Sequence, residues 1–387
     1  MRPPVEIAQE LAQQLARTAT AARHARRRRP PAVGSAPATG APPHVYYLSP
    51  DPDRPRGGIR VFYRHVDLLN QAGIPATVVH RKPGQRAAWF ANDTRVAGAA
   101  EVAVTPEDLL VVPEFYSAEL DRLPVRSRVV VFNQAPFYTF DAMTLEEAAV
   151  FARRPIEAIL TVSDAGLRLL SDTFAPVLVH RTRPVLDPGV FHPGDEQSGP
   201  RPRRIAYATN RRAQEAHQLL SILTVRGALT GWELVPIRGM TEAQVARTLR
   251  ECPIFLSFSE REGFGLPPAE AMASGCYVIG YTGQGGEEFF DPAHSAPVPD
   301  SALADYVAAV ERAIAGYEAD PAALAGLGHA AARAVTERYS LAGLRADLLA
   351  CYASLGVSVP GADGIPRLGE VSRRGPAADR SGVTLQG

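Results

Sequence analysis

Glu262 and Glu270 lie eight positions apart in "EREGFGLPPAEAMASG", residues 260–275. Two carboxylates set around a glycine-rich turn can accept hydrogen bonds from the hydroxyls of an oxygen-rich ligand. Gly263 and Gly265 permit positive φ and close backbone approach, so the amides of Phe264, Gly265 and Leu266 can face such a ligand. Pro267 and Pro268 suit the first turn of a helix, where a missing N–H costs little. This reading puts Glu270 in that first turn, at an N-terminus whose dipole of about half a positive charge favours an anion such as phosphate. An acid there serves equally well as a plain partner of the dipole.

A phosphate-bearing ligand also needs cations. The chain has 387 residues and a single lysine, Lys82; the other 40 basic residues are arginine. Schiff-base chemistry would have to rest on Lys82 alone. An anion clamp elsewhere must be built from arginine or from backbone N–H groups. Cys252, Cys276 and Cys351 form no C-x-x-C and sit near no histidine pair, which argues against a zinc site or disulfide framework and fits a reducing cytoplasm. "DPD", 51–53, spells D-x-D, but a lone acid pair lacks the ligand count of a divalent ion, so no metal and no cofactor are expected. "GQGGEE", 283–288, lacks the G-K-[ST] of an NTPase loop.

The elements that would carry these residues alternate in type. "HVYYLSP", "ATVVHR", "DLLVVPE", "RVVVFNQ" and "AILTVSD" read as short strands, apolar on both faces as buried parallel strands are. "GGIRVFYRHVDLLNQAG" reads as a helix closed by Gly73. A Pro- and Gly-rich break at 192–204 separates this series from a second: "RIAYAT", "WELVPI", "PIFLSFS" and "YVIGYT", with helices between. The expected fold class is α/β, two Rossmann-like doubly wound domains facing across a cleft, with ligands at the carboxyl ends of the strands. Residues 43–195 and 200–337 are the expected domains, and a helix at about 338–356 returns to the first. Residues 1–42 read as a basic extension, disordered or helical up to Arg29 and then a flexible linker, "PPAVGSAPATGAPP". Residues 357–387 read as a disordered tail.

Hydrophobic residues make up 46% and charged residues 21%, a globular composition. A formal net charge of zero gives no argument for nucleic-acid binding. No apolar run approaches the roughly 20 residues of a membrane span, and the N-terminus lacks the apolar core of a signal peptide. A cytoplasmic location follows as an expectation. The basic N-terminal helix could touch an anionic membrane surface weakly, or be a solvated tail.

The Glu-x7-Glu block, with "EAMASG" and "VIGYTGQGGEE" after it, closely resembles the donor-binding segment of the family 4 retaining glycosyltransferases, which have the GT-B fold. "GGIRVFYRHVDLLNQAG", "ILTVSDAGLRLLSDTF", "DPGVFHPG", "RGMTEAQVARTLRECPIFLSFSE" and "RYSLAGLRADLLACYASL" are similar to further stretches of that family, over roughly 44–356. The resemblance implies that Glu262 contacts a donor sugar and Glu270 a nucleotide ribose. It implies that amides of Phe264, Gly265 and Leu266, with those of Gly57 and Gly58, approach sugar hydroxyls and a diphosphate. Arg211 matches the arginine of the family's diphosphate clamp. Arg212 could stand in for its missing lysine, although the spacing is broken. Gly285, Gly286 and Glu287 would be a donor-side loop, or equally a turn that caps a helix. Where many relatives have a histidine near the reacting sugar, "RVVVFNQAPFYTF" offers Asn133 and Gln134, and an amide is no useful general base near neutral pH. The implied activity is metal-independent retaining transfer of a sugar from a nucleotide diphosphate sugar to an unidentified acceptor. Two alternatives stand beside it: a nucleotide-sugar binding protein without transfer activity in a polysaccharide-assembly complex, and another GT-B enzyme such as a nucleotide-sugar epimerase.

Overall fold

The computed structural model describes residues 29–53, 57–141, 143–194, 199–209 and 211–359. The basic N-terminal helix and the tail beyond 359 lie outside them. In chain order the strands are β1 (Gly34–Ser35), β2 (Val45–Leu48), β3 (Ala76–His80), β4 (Val96–Gly98), β5 (Ala103–Val104), β6 (Leu109–Pro113), β7 (Arg128–Asn133), β8 (Ala158–Thr161) and β9 (Leu178–Arg181). They continue as β10 (Arg204–Ala208), β11 (Glu233–Pro236), β12 (Ile254–Glu262), β13 (Tyr277–Gln284) and β14 (Ala296–Pro297). The helices are α1 (Gly57–Gln71), α2 (Pro136–Asp141), α3 (Val150–Arg153), α4 (Asp164–Phe174), α5 (Ala213–Val225), α6 (Glu242–Glu251), α7 (Leu266–Ala273), α8 (Leu303–Ala319), α9 (Pro321–Arg338) and α10 (Leu341–Ser354).

Two parallel sheets result. The first has seven strands in the order β4-β3-β2-β6-β7-β8-β9, and the second five in the order β11-β10-β12-β13-β14. The buried strand faces explain the parallel arrangement: every residue of β3, β6 and β8 is buried, which requires cover on both sides. α1 shows how that cover is made. Ile59, Phe62, Tyr63, Val66 and Leu69 recur at helical spacing and are all buried. Asn70 then locks the exit from the helix, exchanging hydrogen bonds of 2.9 and 3.0 Å with the backbone of Ala76.

One buried apolar cluster runs from β2 and α1 through Phe264, Met272 and Phe289 to Tyr339 and Tyr352, so the two sheets share a continuous core. α10 is fastened to the first sheet at depth. The Tyr352 hydroxyl lies 2.9 Å from the Tyr47 hydroxyl, which also meets His65 Nδ1 at 3.1 Å. Burial holds His65 down to a pKa of about 3, so it is a neutral hydrogen-bonding group here. Arg183 adds a two-pronged pair with Asp347 at 2.7 and 2.8 Å.

The stretch 30–43 corrects the expectation of a flexible linker. Pro30 and Pro31 are buried, and β1 pairs in parallel with β5 through Gly34 N–H to Val102 O and Ala36 N–H to Val104 O, both 2.9 Å. Val33 packs on the apolar cluster beneath. Buried apolar surface and satisfied backbone groups hold a segment whose composition reads as loop.

Candidate active site

The site forms where the carboxyl ends of β10 and β12 meet the first sheet's loops. The pairing of β12 with β13 shifts register between Ser259 and Glu262, and Arg261 adopts φ +48°. A bulge of this kind re-aims side chains at a strand end, and here it turns Glu262 toward Arg211. Glu262 Oε1 lies 2.7 Å from Arg211 Nε. Burial pushes the Glu262 carboxyl above its ordinary pKa, and Arg211 pulls it back. Arg211 in turn donates to the Tyr138 hydroxyl of α2 at 2.9 Å, so it reaches across to the first domain. Ala208, Arg211, Ser257, Ser259, Glu262 and Pro267 line a recess at this point.

Gly265 takes φ +96° as the residue capping α7, a conformation that costs a side chain dearly, and Pro267 and Pro268 occupy the first turn as expected. Glu270 is the fifth residue of α7, not a member of its first turn. That position removes it from the reach of a plain dipole partner. Its carboxylate instead meets Arg60 of α1, Oε1 to Nη2, at 3.0 Å. Burial raises the Glu270 carboxyl and Arg60 opposes the shift. Arg60 also pairs through Nη1 with Glu242, the first residue of α6.

The glycines mark close approaches between the two domains. A Cβ on Gly57 would sit 2.8 Å from Leu266 Cδ1, and one on Gly58 would sit 3.0 Å from the Gln134 amide. Gln134 Nε2 donates to Gly58 O at 3.2 Å. A Cβ on Gly263 would fall 1.6 Å from Gln134 O. Gly57, Gly58, Gln134, Gly263 and Leu266 are therefore one cluster. Phe264 contributes only its backbone to the cleft, since its ring is buried against Tyr339 and Phe289 at centroid distances of 4.7 and 5.1 Å.

Two expected residues, Asn133 and Arg212, are placed differently. Asn133 is fully buried and donates to Thr139, because the strand turns its side chain inward; Gln134 alone of that pair faces the second domain. Arg212 is engaged by Glu215 at 3.0 Å, by Asp300, and by the Tyr281 ring at 4.7 Å, so its charge is consumed within its own domain. Gly285, Gly286 and Glu287 lie in a short 3-10 turn after β13. Gly285 packs on the Gly263 backbone, whereas Glu287 is exposed. Asp51 of the D-x-D faces Arg81 at 3.5 Å. Among the described residues no group of three His, Cys, Asp or Glu is gathered to hold a metal ion.

Residues 203–350 match the model of a family described as "glycosyl transferase-like". An alpha-1,6-glucosyltransferase of Actinobacillus pleuropneumoniae serotype 7 (strain AP76) is 29% identical over 236 residues, 59% of this chain and 69% of the relative. Among solved structures, the sucrose-phosphate synthase of Thermosynechococcus elongatus aligns over 82% of this chain and 99% of its own, with TM-score 0.60 and 13% identity. The Anabaena protein HepE, solved with UDP and glucose, aligns over 81% of this chain and 100% of its own, with TM-score 0.57 and 11% identity. The chain has the GT-B fold, and its second domain is similar to the glycosyl transferase-like family.

Two residues of this site escaped the sequence reading. Arg60 carried a signal: a cation in the first turn of a helix opposes the dipole and so asks for a compensating partner. Tyr138 carried a weaker one, as an aromatic residue in the run "PFYTF" that stays exposed. Neither partner could be named, because each lies on the other domain.

Proposed function

We propose that this protein is a glycosyltransferase that takes a nucleotide diphosphate sugar as donor, transfers the sugar with retention of anomeric configuration, and needs no metal. The observation that carries the reading is the placement of Glu262 and Glu270 on either side of the α7 N-terminus, with Arg211 beside Glu262 and the Gly57–Gly58 turn opposite. In this reading Glu270 accepts from ribose hydroxyls and Glu262 from sugar hydroxyls. The leaving diphosphate develops negative charge, which preorganised donors stabilise more than the ground state. Arg211, the amides of residues 264–266 and those of Gly57 and Gly58 are the donors for it. Glu262 positions the sugar and favours positive charge developing at its ring. Gln134 forms the first-domain wall without acting as a base. The Actinobacillus relative and the HepE complexes support uridine nucleotides and glucose as the first donors to try.

The test is release of nucleoside diphosphate from a panel of nucleotide sugars, with and without candidate acceptors, followed by the anomeric configuration of the product. Retained configuration, with release lost in Glu262→Ala, is expected. Tight donor binding with no turnover for any acceptor would move the protein to a binding role. Interconversion of free donor sugars would make it an epimerase.

A further inference from the structure

Among the described residues, Arg211 is the second-domain cation placed at the proposed diphosphate site. It already shares its charge with Glu262, while Arg212 is spent on Glu215, Asp300 and Tyr281. A diphosphate presents two charged groups, and one shared guanidinium leaves much of that charge uncompensated. The cation that the structure brings to the opposite wall is Arg60. It stands in the first turn of α1, two residues after Gly58. In the present conformation two carboxylates hold it there, Glu242 through Nη1 and Glu270 through Nη2.

Glu270 is also the carboxylate that the proposed function gives to the ribose. A ribose hydroxyl that takes Glu270 Oε1 displaces one edge of the Arg60 guanidinium and leaves the other on Glu242. The freed edge then lies beside the Gly57–Gly58 turn, where the α1 amides already favour an anion. We infer that Arg60 is the second diphosphate cation of this protein, stored on Glu270 in the free state and turned to the phosphates when the ribose occupies that carboxylate. This rests on the reading under Proposed function. It accounts for how a chain with one lysine, Lys82, completes a two-cation clamp. It also ties nucleotide binding to the domain contact, because a first-domain arginine then grips a ligand seated on the second domain.

The experiment is calorimetric titration of the full chain with UDP, GDP and ADP, and with uridine, guanosine and adenosine, for the unaltered protein, Arg60→Gln and Arg60→Lys. Ligand-free melting temperatures check that the variants fold. With the nucleotide that binds best, Arg60→Gln is expected to lose about 10- to 100-fold in diphosphate affinity while its nucleoside affinity holds or rises. Arg60→Lys should recover most of the loss. If Arg60 only competes with ribose for Glu270, Arg60→Gln binds the diphosphate more tightly, and the inference falls. An equal loss for nucleoside and diphosphate overturns it too, since that marks a change of shape and not of charge. If the unaltered protein binds none of the three diphosphates, the proposed function fails first and takes this inference with it.

Discussion

Gly263→Ala adds one carbon at a close approach between the two domains. The new Cβ would lie 1.6 Å from Gln134 O, 2.6 Å from Gln134 C and 3.0 Å from Ala135 Cα. All three are backbone atoms, so no side-chain rotation relieves the overlap. The two walls must separate by roughly 2 Å to restore ordinary contact, and overpacking of this kind typically costs about 1–3 kcal/mol. Each sheet keeps its own buried strands, so the chain still folds. The cleft, however, no longer closes to its native width. A displacement of 1 Å at reacting groups can cost about 100-fold in rate, which is about 2.7 kcal/mol of barrier. Gly263→Ala should therefore lower kcat/KM for nucleoside diphosphate release at least about 100-fold, with a melting temperature only a few degrees lower. Small-angle scattering of the free variant should show a larger radius of gyration. Turnover and scattering indistinguishable from the unaltered protein would refute the claim that Gln134 and Gly263 must meet for the site to work.

Other residues give separate tests. Glu114 is buried behind the Gln134–Ala135 turn, and burial pushes its carboxyl up to about 7 from 4.5, against the hydrogen bonds of the Gln134 and Ala135 amides. The folded chain thus keeps a proton that the unfolded chain has released, and stability should fall as pH rises from about 4.5 to about 7, by at most about 3 kcal/mol. Glu114→Gln should flatten that part of the melting-temperature profile; an unchanged slope would exclude Glu114 as its source. Arg201 donates to four carbonyls, those of Pro193, Cys252, Ser274 and Gly275, at 2.8 to 3.2 Å, and Arg201→Ala should cost about 3 kcal/mol in urea denaturation. Arg211→Ala should weaken nucleoside diphosphate binding at least about 10-fold. Arg212→Ala should mainly lower stability, because its charge is already paired; equal binding losses in the two titrations would show that Arg212 reaches the ligand.

Local chemistry made much of this legible. The apolar strand runs, the Pro267–Pro268 helix start and the glycine turn each follow from what a few adjacent residues can do, and the α/β class follows from their alternation. The pairing of Glu262 with Arg211 was within reach once both were placed at strand ends. What the sequence hid depends on partners far apart in the chain. Arg60 and Glu270 are 210 residues apart, and the engagement of Arg212 needs Asp300. Asn133 and Gln134 look equivalent in the sequence, but the alternation of a strand sends one inward and the other to the cleft. Val33 to Ala36 read as linker because a parallel edge pairing with 103–104 leaves no trace in composition.

The central claim concerns which acid meets which part of the donor. A crystal structure of the protein with the nucleotide sugar selected by the panel tests it most directly. Ribose hydroxyls are expected within hydrogen-bond distance of Glu270, sugar hydroxyls at Glu262, and the diphosphate between Arg211 and the Gly57–Gly58 turn. A donor bound with Glu262 and Glu270 still closed on Arg211 and Arg60, and its sugar seated elsewhere, would contradict it.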